Sequence, residues 1–137
     1  MYNKYKIARS SSEYGNIKRT STYDEVMGEQ YTEIYTLPNL IEYINADEIN
    51  LSFFFLIENG QIVYDSFDDI SIALINLGDV GDEVDEKSYE SVVSNSEAIF
   101  DSVASFITYL NSIESVLEWA VVIDQKKKRL IPMEELL

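Results

Sequence analysis

Apolar and polar positions alternate in short blocks along the chain, and the period changes from block to block. Tyr2 to Ala8 alternates weakly and predicts a first strand, while the polar, Ser-rich stretch from Arg9 to Thr22 predicts a loop. Tyr31 to Thr36 alternates again as a strand. Thr36-Leu37-Pro38 then predicts a helix start, because Pro38 falls near the first helical position, where a missing N–H breaks no bond. Leu37, Ile41 and Ile44 share the buried face of that helix, which ends near Ala46. Asn50 to Ile57 is the most apolar run and predicts a central strand buried on both faces. Glu58-Asn59-Gly60-Gln61 carries the Asn-Gly pair of a two-residue hairpin turn, whose central residues need positive φ. Gln61 to Phe67 returns antiparallel.

Further on, Ser66 and Asp69 resemble a capping box and predict a helix over Asp68 to Leu77, closed by Gly78. Ile70, Ala73, Leu74 and Leu77 form its inner stripe. Asp79 to Glu90 is the most acidic stretch and predicts an exposed loop or a linker into the next helix. From Ser94 to Leu117 apolar residues recur at spacings of three and four (Val103, Phe106, Ile107, Leu110 and others), which predicts one long helix. Trp119 to Asp124 predicts a buried strand, Gln125 to Lys128 a turn, and Arg129 to Ile131 a short returning strand stopped by Pro132. No repeat of fixed period is apparent and no linker divides the chain, so residues 1–137 read as a single acidic domain. The irregular alternation predicts an α+β fold: an antiparallel, or mixed, sheet of four to five strands with two to three helices packed mainly on one face.

Composition narrows the chemistry. The chain contains no Cys and no His, which excludes a disulfide framework, a Cys or His zinc site, a thiolate nucleophile and an imidazole base. Apolar residues make up 46%, enough for a folded core in 137 residues. Met1 to Ser12 lacks the apolar segment of a signal peptide, and the longest apolar runs are too short to span a bilayer. A cytoplasmic protein is the expectation.

The formal charge of −15 is unevenly placed. Residues 1–19 carry a net +4, residues 126–137 a net +2, and the stretch between them a net −21. From Thr20 to Glu86 there are 16 acids and no Lys or Arg. Ordinary acidic surfaces intersperse cations, which soften self-repulsion. Here the acids can meet cations only at the termini, at Lys87, or on a partner. Such a charge argues against direct contact with nucleic acid or anionic lipid, whose phosphates would repel it.

Two acidic groups invite a metal reading. An EF-hand loop starting at Asp79 would place Gly81, Glu83 and Val84 at its third, fifth and sixth positions, so it lacks one ligand and the turn Gly. Asp65, Asp68 and Asp69 could form a carboxylate site for a divalent-metal enzyme or regulatory domain. A simpler account puts Asp68 and Asp69 in a helix's first turn, where the macrodipole favours negative charge. No Gly-rich phosphate loop and no nucleophile elbow is present, so neither a cofactor nor catalysis is expected.

The ten Tyr residues are more suggestive, since Tyr is enriched at protein interfaces. Tyr23, Tyr31, Tyr43, Tyr64 and Tyr89 each have an acid within two residues, a combination suited to an Arg- or Lys-rich partner. Core-edge packing would also account for many of them. Lys126 to Arg129 could be a basic patch or a solvated turn. Together these features lead to the expectation of a small acidic inhibitor that binds a basic protein. The candidate contacts are Asp79, Asp82, Glu83, Asp85, Glu86, Tyr89 and Glu90, with Asp65, Asp68 and Asp69 second.

Overall fold

The structure, a computed structural model, describes residues 6–11, 22–28, 32–46, 52–63, 70–76, 83–112 and 118–136. Their strands form two antiparallel four-stranded sheets, not the single sheet expected, in an α+β fold. The first sheet contains β1 (Lys6–Ser11), β2 (Glu33–Thr36), β3 (Ser52–Glu58) and β4 (Gln61–Ile62), in the order β2-β1-β3-β4. The second contains β5 (Ser71–Asn76), β6 (Ala98–Phe100), β7 (Glu118–Asp124) and β8 (Arg129–Leu130), in the order β6-β5-β7-β8. Five helices are described: α1 (Tyr23–Gly28), α2 (Leu37–Asn45), α3 (Tyr89–Asn95), α4 (Val103–Leu110) and α5 (Met133–Leu136).

Several elements form where the residue pattern puts them. Pro38 stands in the first turn of α2, and Leu37, Leu40, Ile41 and Ile44 are fully buried along one side. Asn59 and Gly60 both have positive φ, 52° and 72°, so the tight β3–β4 turn has the mirror-image geometry that the Asn-Gly pair favours. Phe54, Phe55 and Leu56 are buried on both faces of β3.

Other elements depart from expectation, each for a packing reason. β1 continues through Ser11, because Arg9, Ser10 and Ser11 complete its pairing with β3. Residues 12–21 of the expected first loop lie outside the described residues. Just beyond it, where the sequence pattern predicts no element, α1 forms and buries Val26. Ser71–Asn76 is a central strand, not a helix: Ile72, Ala73, Leu74 and Ile75 are all fully buried between β6 and β7. A short apolar run fits a doubly buried strand as well as a helix stripe, and here tertiary pairing decides. Leu77, Gly78 and the proposed capping pair lie outside the described residues.

The long helix expected from Ser94 is divided. α3 begins earlier, capped by Ser88, whose Oγ accepts from Ser91 N at 3.2 Å. Ile99 and Phe100 are drawn into edge strand β6 opposite Ala73 and Ile72. Ser102 then caps α4, with its Oγ accepting from Ser105 N at 3.0 Å. Ser and Asp in the interval compete for backbone bonds and favour caps over helix interior. Helices lie on both faces of the sheets, since α2 and α4 pack inside and α1 and α3 cover β1 and β5.

The largest core cluster lies between the two sheets and draws on both. Within it each inner helix packs on both sheets: α2 on β1 and β2 of its own and β7 of the second, and α4 on β5 and β6 of its own and β3 of the first. A side-chain amide fixes each crossing. Asn45 Nδ2 donates to Ala120 O at 3.1 Å and its Oδ1 accepts from Ala120 N at 2.7 Å. Asn111 Nδ2 donates to Phe54 O at 2.8 Å and its Oδ1 accepts from Phe54 N at 2.8 Å. β4 and β8 are two residues long, so neighbouring strands outrun them. Each Asn presents one donor and one acceptor to the strand edge, as a paired strand residue would.

Candidate functional site

The described part of the acidic segment, residues 83–88, leads directly into α3, as a linker into a helix. Asp85 N donates to Ser91 Oγ at 2.8 Å, and Asp85 Oδ1 accepts from Lys87 N at 3.0 Å. These bonds hold the backbone while Glu83, Asp85, Glu86 and Glu90 remain exposed. Glu90 lies in the first turn of α3, where the macrodipole favours it. Tyr89 is half-buried against the outer face of the second sheet, beside Val92 and Ile123. Asp79, Asp82, Asp65, Asp68 and Asp69 lie outside the described residues. Among the described residues no group of three or more acids is arranged to hold a metal ion.

Exposed acids occur well beyond this segment. Asp24, Glu25, Glu42, Glu58, Glu97, Asp101 and Glu134 are all exposed. Among the described residues, ion pairs reach two acids. Arg9 Nη1 meets Glu33 Oε1 at 3.2 Å, and Arg129 Nη2 meets Glu135 Oε2 at 2.5 Å. The second pair is bidentate, with Arg129 Nη1 also donating to Glu135 Oε1 at 3.0 Å, and these bonds hold the Glu135 carboxyl below its ordinary pKa. Lys126, Lys127 and Lys128 are exposed in the β7–β8 turn, which Asp124 organises by accepting from the backbone N–H of Lys126 and Lys127. Their arrangement is that of a solvated turn.

A second cluster escaped the sequence reading. Arg9 lies on the inner side of β1 with its guanidinium 5.0 Å from the Tyr43 ring centre and 3.4 Å from Tyr35 Oη. Tyr35 Oη donates to Glu33 Oε2 at 2.6 Å, and the Tyr35 and Tyr43 rings are 5.6 Å apart. Burial raises the Tyr35 pKa, reinforced by its bond to Glu33. Burial of Arg9 opposes its charge, but the bond to Tyr35 and the nearby Tyr43, Tyr35 and Glu33 outweigh it and shift the pKa upward. The signal was the spacing of Ile7 and Arg9 on one side of a strand, which is legible only when β1 runs past Ala8.

A cavity of about 200 Å³ opens between the β3–β4 hairpin and α4, lined by Phe54, Leu56, Val63, Ala104, Ile107 and Thr108 among others. None of its described lining residues titrates, which suits packing better than acid–base chemistry. No described helix is long and apolar enough to cross a membrane. Comparison with protein-family models, with curated proteins and with solved structures finds no match.

Proposed function

We propose that this protein is a small acidic inhibitor that binds stoichiometrically to a basic, nucleic-acid-handling enzyme and occupies the surface where that enzyme meets phosphates. The observation that carries this reading is the run from Thr20 to Glu86, which has 16 acids and no Lys or Arg. Its described acids are exposed, and Glu33 alone among them has an ion pair, with Arg9. Uncompensated charge of one sign opposes compaction, whereas it steers association with a positive surface. Two settings share these physics: an immunity protein that neutralises a bacterial toxin such as a nuclease, and a phage anti-defence protein acting as a DNA mimic against a CRISPR or restriction enzyme.

The test begins with capture of the partner from the native host. The expected partner is a basic nuclease, toxin or defence effector that loses activity at one equivalent of this protein. Binding is expected to weaken steeply with salt, mainly through slower association. Replacing Asp82, Glu83, Asp85 and Glu86 together by the neutral amides is expected to reproduce that slowing at low salt. Unchanged affinity in this variant would remove the acidic segment from the interface. Micromolar binding of magnesium, calcium or manganese at one site, read by calorimetry, would instead favour a metal-dependent enzyme or regulatory domain around Asp65, Asp68 and Asp69.

A further inference from the structure

The two sheets share more than their strand order. In each, the first strand pairs antiparallel with the second and third, and the third forms a hairpin with the fourth. The registers correspond as well. Lys6 opposite Ile57 matches Ser71 opposite Ile123, and Ile7 opposite Tyr35 matches Ile72 opposite Phe100. Asn45 bonds to Ala120 as Asn111 bonds to Phe54, and within each of these pairs of counterparts the offset is 66 residues (45 to 111, 54 to 120).

The same offset aligns the sequence. Ile41-Glu42-Tyr43-Ile44-Asn45 falls on Ile107-Thr108-Tyr109-Leu110-Asn111, and Thr22-Tyr23-Asp24-Glu25-Val26 on Ser88-Tyr89-Glu90-Ser91-Val92. In both helices of the latter pair the Val is fully buried on the outer face of its own sheet. At an offset of 65, Ile7-Ala8 falls on Ile72-Ala73, again with matching burial. Inner-core counterparts such as Leu37 and Val103, Leu40 and Phe106, or Leu56 and Val122 all belong to the one central cluster. The caps of the outer helices match too, with Thr22 Oγ1 accepting from Glu25 N at 3.3 Å as Ser88 Oγ accepts from Ser91 N at 3.2 Å. The correspondence therefore runs through registers, outer-helix caps, core positions and clamps. Shared fold class alone would not align all four.

Because α2 reaches across to β7 of the second sheet as α4 reaches across to β3 of the first, each while packing on its own sheet, the relation between the halves is reciprocal. Reciprocal contact of this kind is the hallmark of a two-fold, isologous interface. We propose that the chain is a fused dimer: two copies of one strand–helix–strand–helix–hairpin unit, each completed by the inner helix of the other. The second copy lies in the same chain, so neither half closes its own core.

Two measurements on the full-length chain test this. The first is a circular permutant that begins at residue 70, runs to residue 137 and continues through a flexible linker into residues 1–69. The expected result is the parental circular dichroism spectrum and a single cooperative transition. The second is amide hydrogen exchange in Asn45→Ala and Asn111→Ala. Loss of Asn45 is expected to accelerate exchange at Ala120, in the opposite half, at least tenfold, and loss of Asn111 to do the same at Phe54. A permutant that stays unfolded with linkers of several lengths, together with exchange that changes only within the mutated half, would overturn the proposal. Where the permutant fails to fold, the exchange pattern decides.

Discussion

Arg9 and Leu74 hold corresponding positions on the inner sides of β1 and β5, and their surroundings diverge. Leu74 is fully buried in the central core, and Phe100, near it, packs against Phe106 and Tyr109. Around Arg9 the counterparts are Tyr35 and Tyr43, with Glu33 where the second half has Ala98. The aromatic pair survives in both halves, at 5.6 Å for Tyr35–Tyr43 and 5.1 Å for Phe100–Tyr109. One scaffold thus supports either an apolar plug or a hydrogen-bonded cation at the same place. What decides is solvent: the Arg9 side chain keeps 21% of its surface exposed, whereas Leu74 has none. A charge near the rim is paired and partly hydrated, and the same charge in the centre would be neither.

The strongest way to break this comparison is to exchange the residues. Leu74→Arg places an unpaired cation in the core and is expected to cost about 3–5 kcal/mol in urea unfolding. The reverse exchange, Arg9→Leu with Glu33→Ala and Tyr35→Phe, copies the second half and should fall within about 1 kcal/mol of the parent or exceed it, because an apolar isostere replaces the ion pair. A large loss in the triple variant would show that the polar cluster organises the first sheet.

Ser10 offers a finer contrast. Its counterpart is the buried Ile75, yet Ser10 Oγ is itself buried with no hydrogen-bond partner among the described residues. Ser10→Ala removes the orphaned hydroxyl and is expected to raise stability by about 1 kcal/mol, read as a higher unfolding midpoint.

The smallest effect concerns pH. Glu135 is bonded to Arg129, while the corresponding strand of the first half, β4, begins with Gln61 and makes no such pair among the described residues. The folded-state pKa of Glu135 is depressed, so its contribution is present above the unfolded value of about 4.3 and fades as pH falls through the folded one. Melting temperature followed from neutral pH to below 4 should therefore fall slightly less in Arg129→Ala than in the parent. High salt should erase the difference, because the pair is exposed and screened.

These contrasts show where residue pattern is informative. The Asn59-Gly60 hairpin, the first turn of α2 and the apolar strands β3 and β7 could be read directly, because local sterics and strict burial leave one solution. Ser71–Asn76 could not, since four consecutive buried residues satisfy a helix or a doubly covered strand equally. The interruption at β6 was hidden because Ile99 and Phe100 also fit the helical period. For the candidate interface, the exposed acids Glu83, Asp85, Glu86 and Glu90 followed from composition, whereas half-burial of Tyr89 required knowing that α3 covers a sheet.

The duplication is the clearest division between the two levels. No repeat is apparent along the chain because few positions are identical, a core constraining size and burial more than residue type. The offset of 65 to 66 emerges only when the two sheets are aligned. Sequence by itself determined the charge segregation, the absence of Cys and His, the α+β class and the tight hairpin. These depend on composition or on neighbours along the chain. Only the tertiary structure decided that there are two sheets, that their inner helices cross over, and that Asn45 and Asn111 complete strands in the opposite half. Those features rest on pairings between distant residues, whose partners are fixed only when both surfaces are buried together.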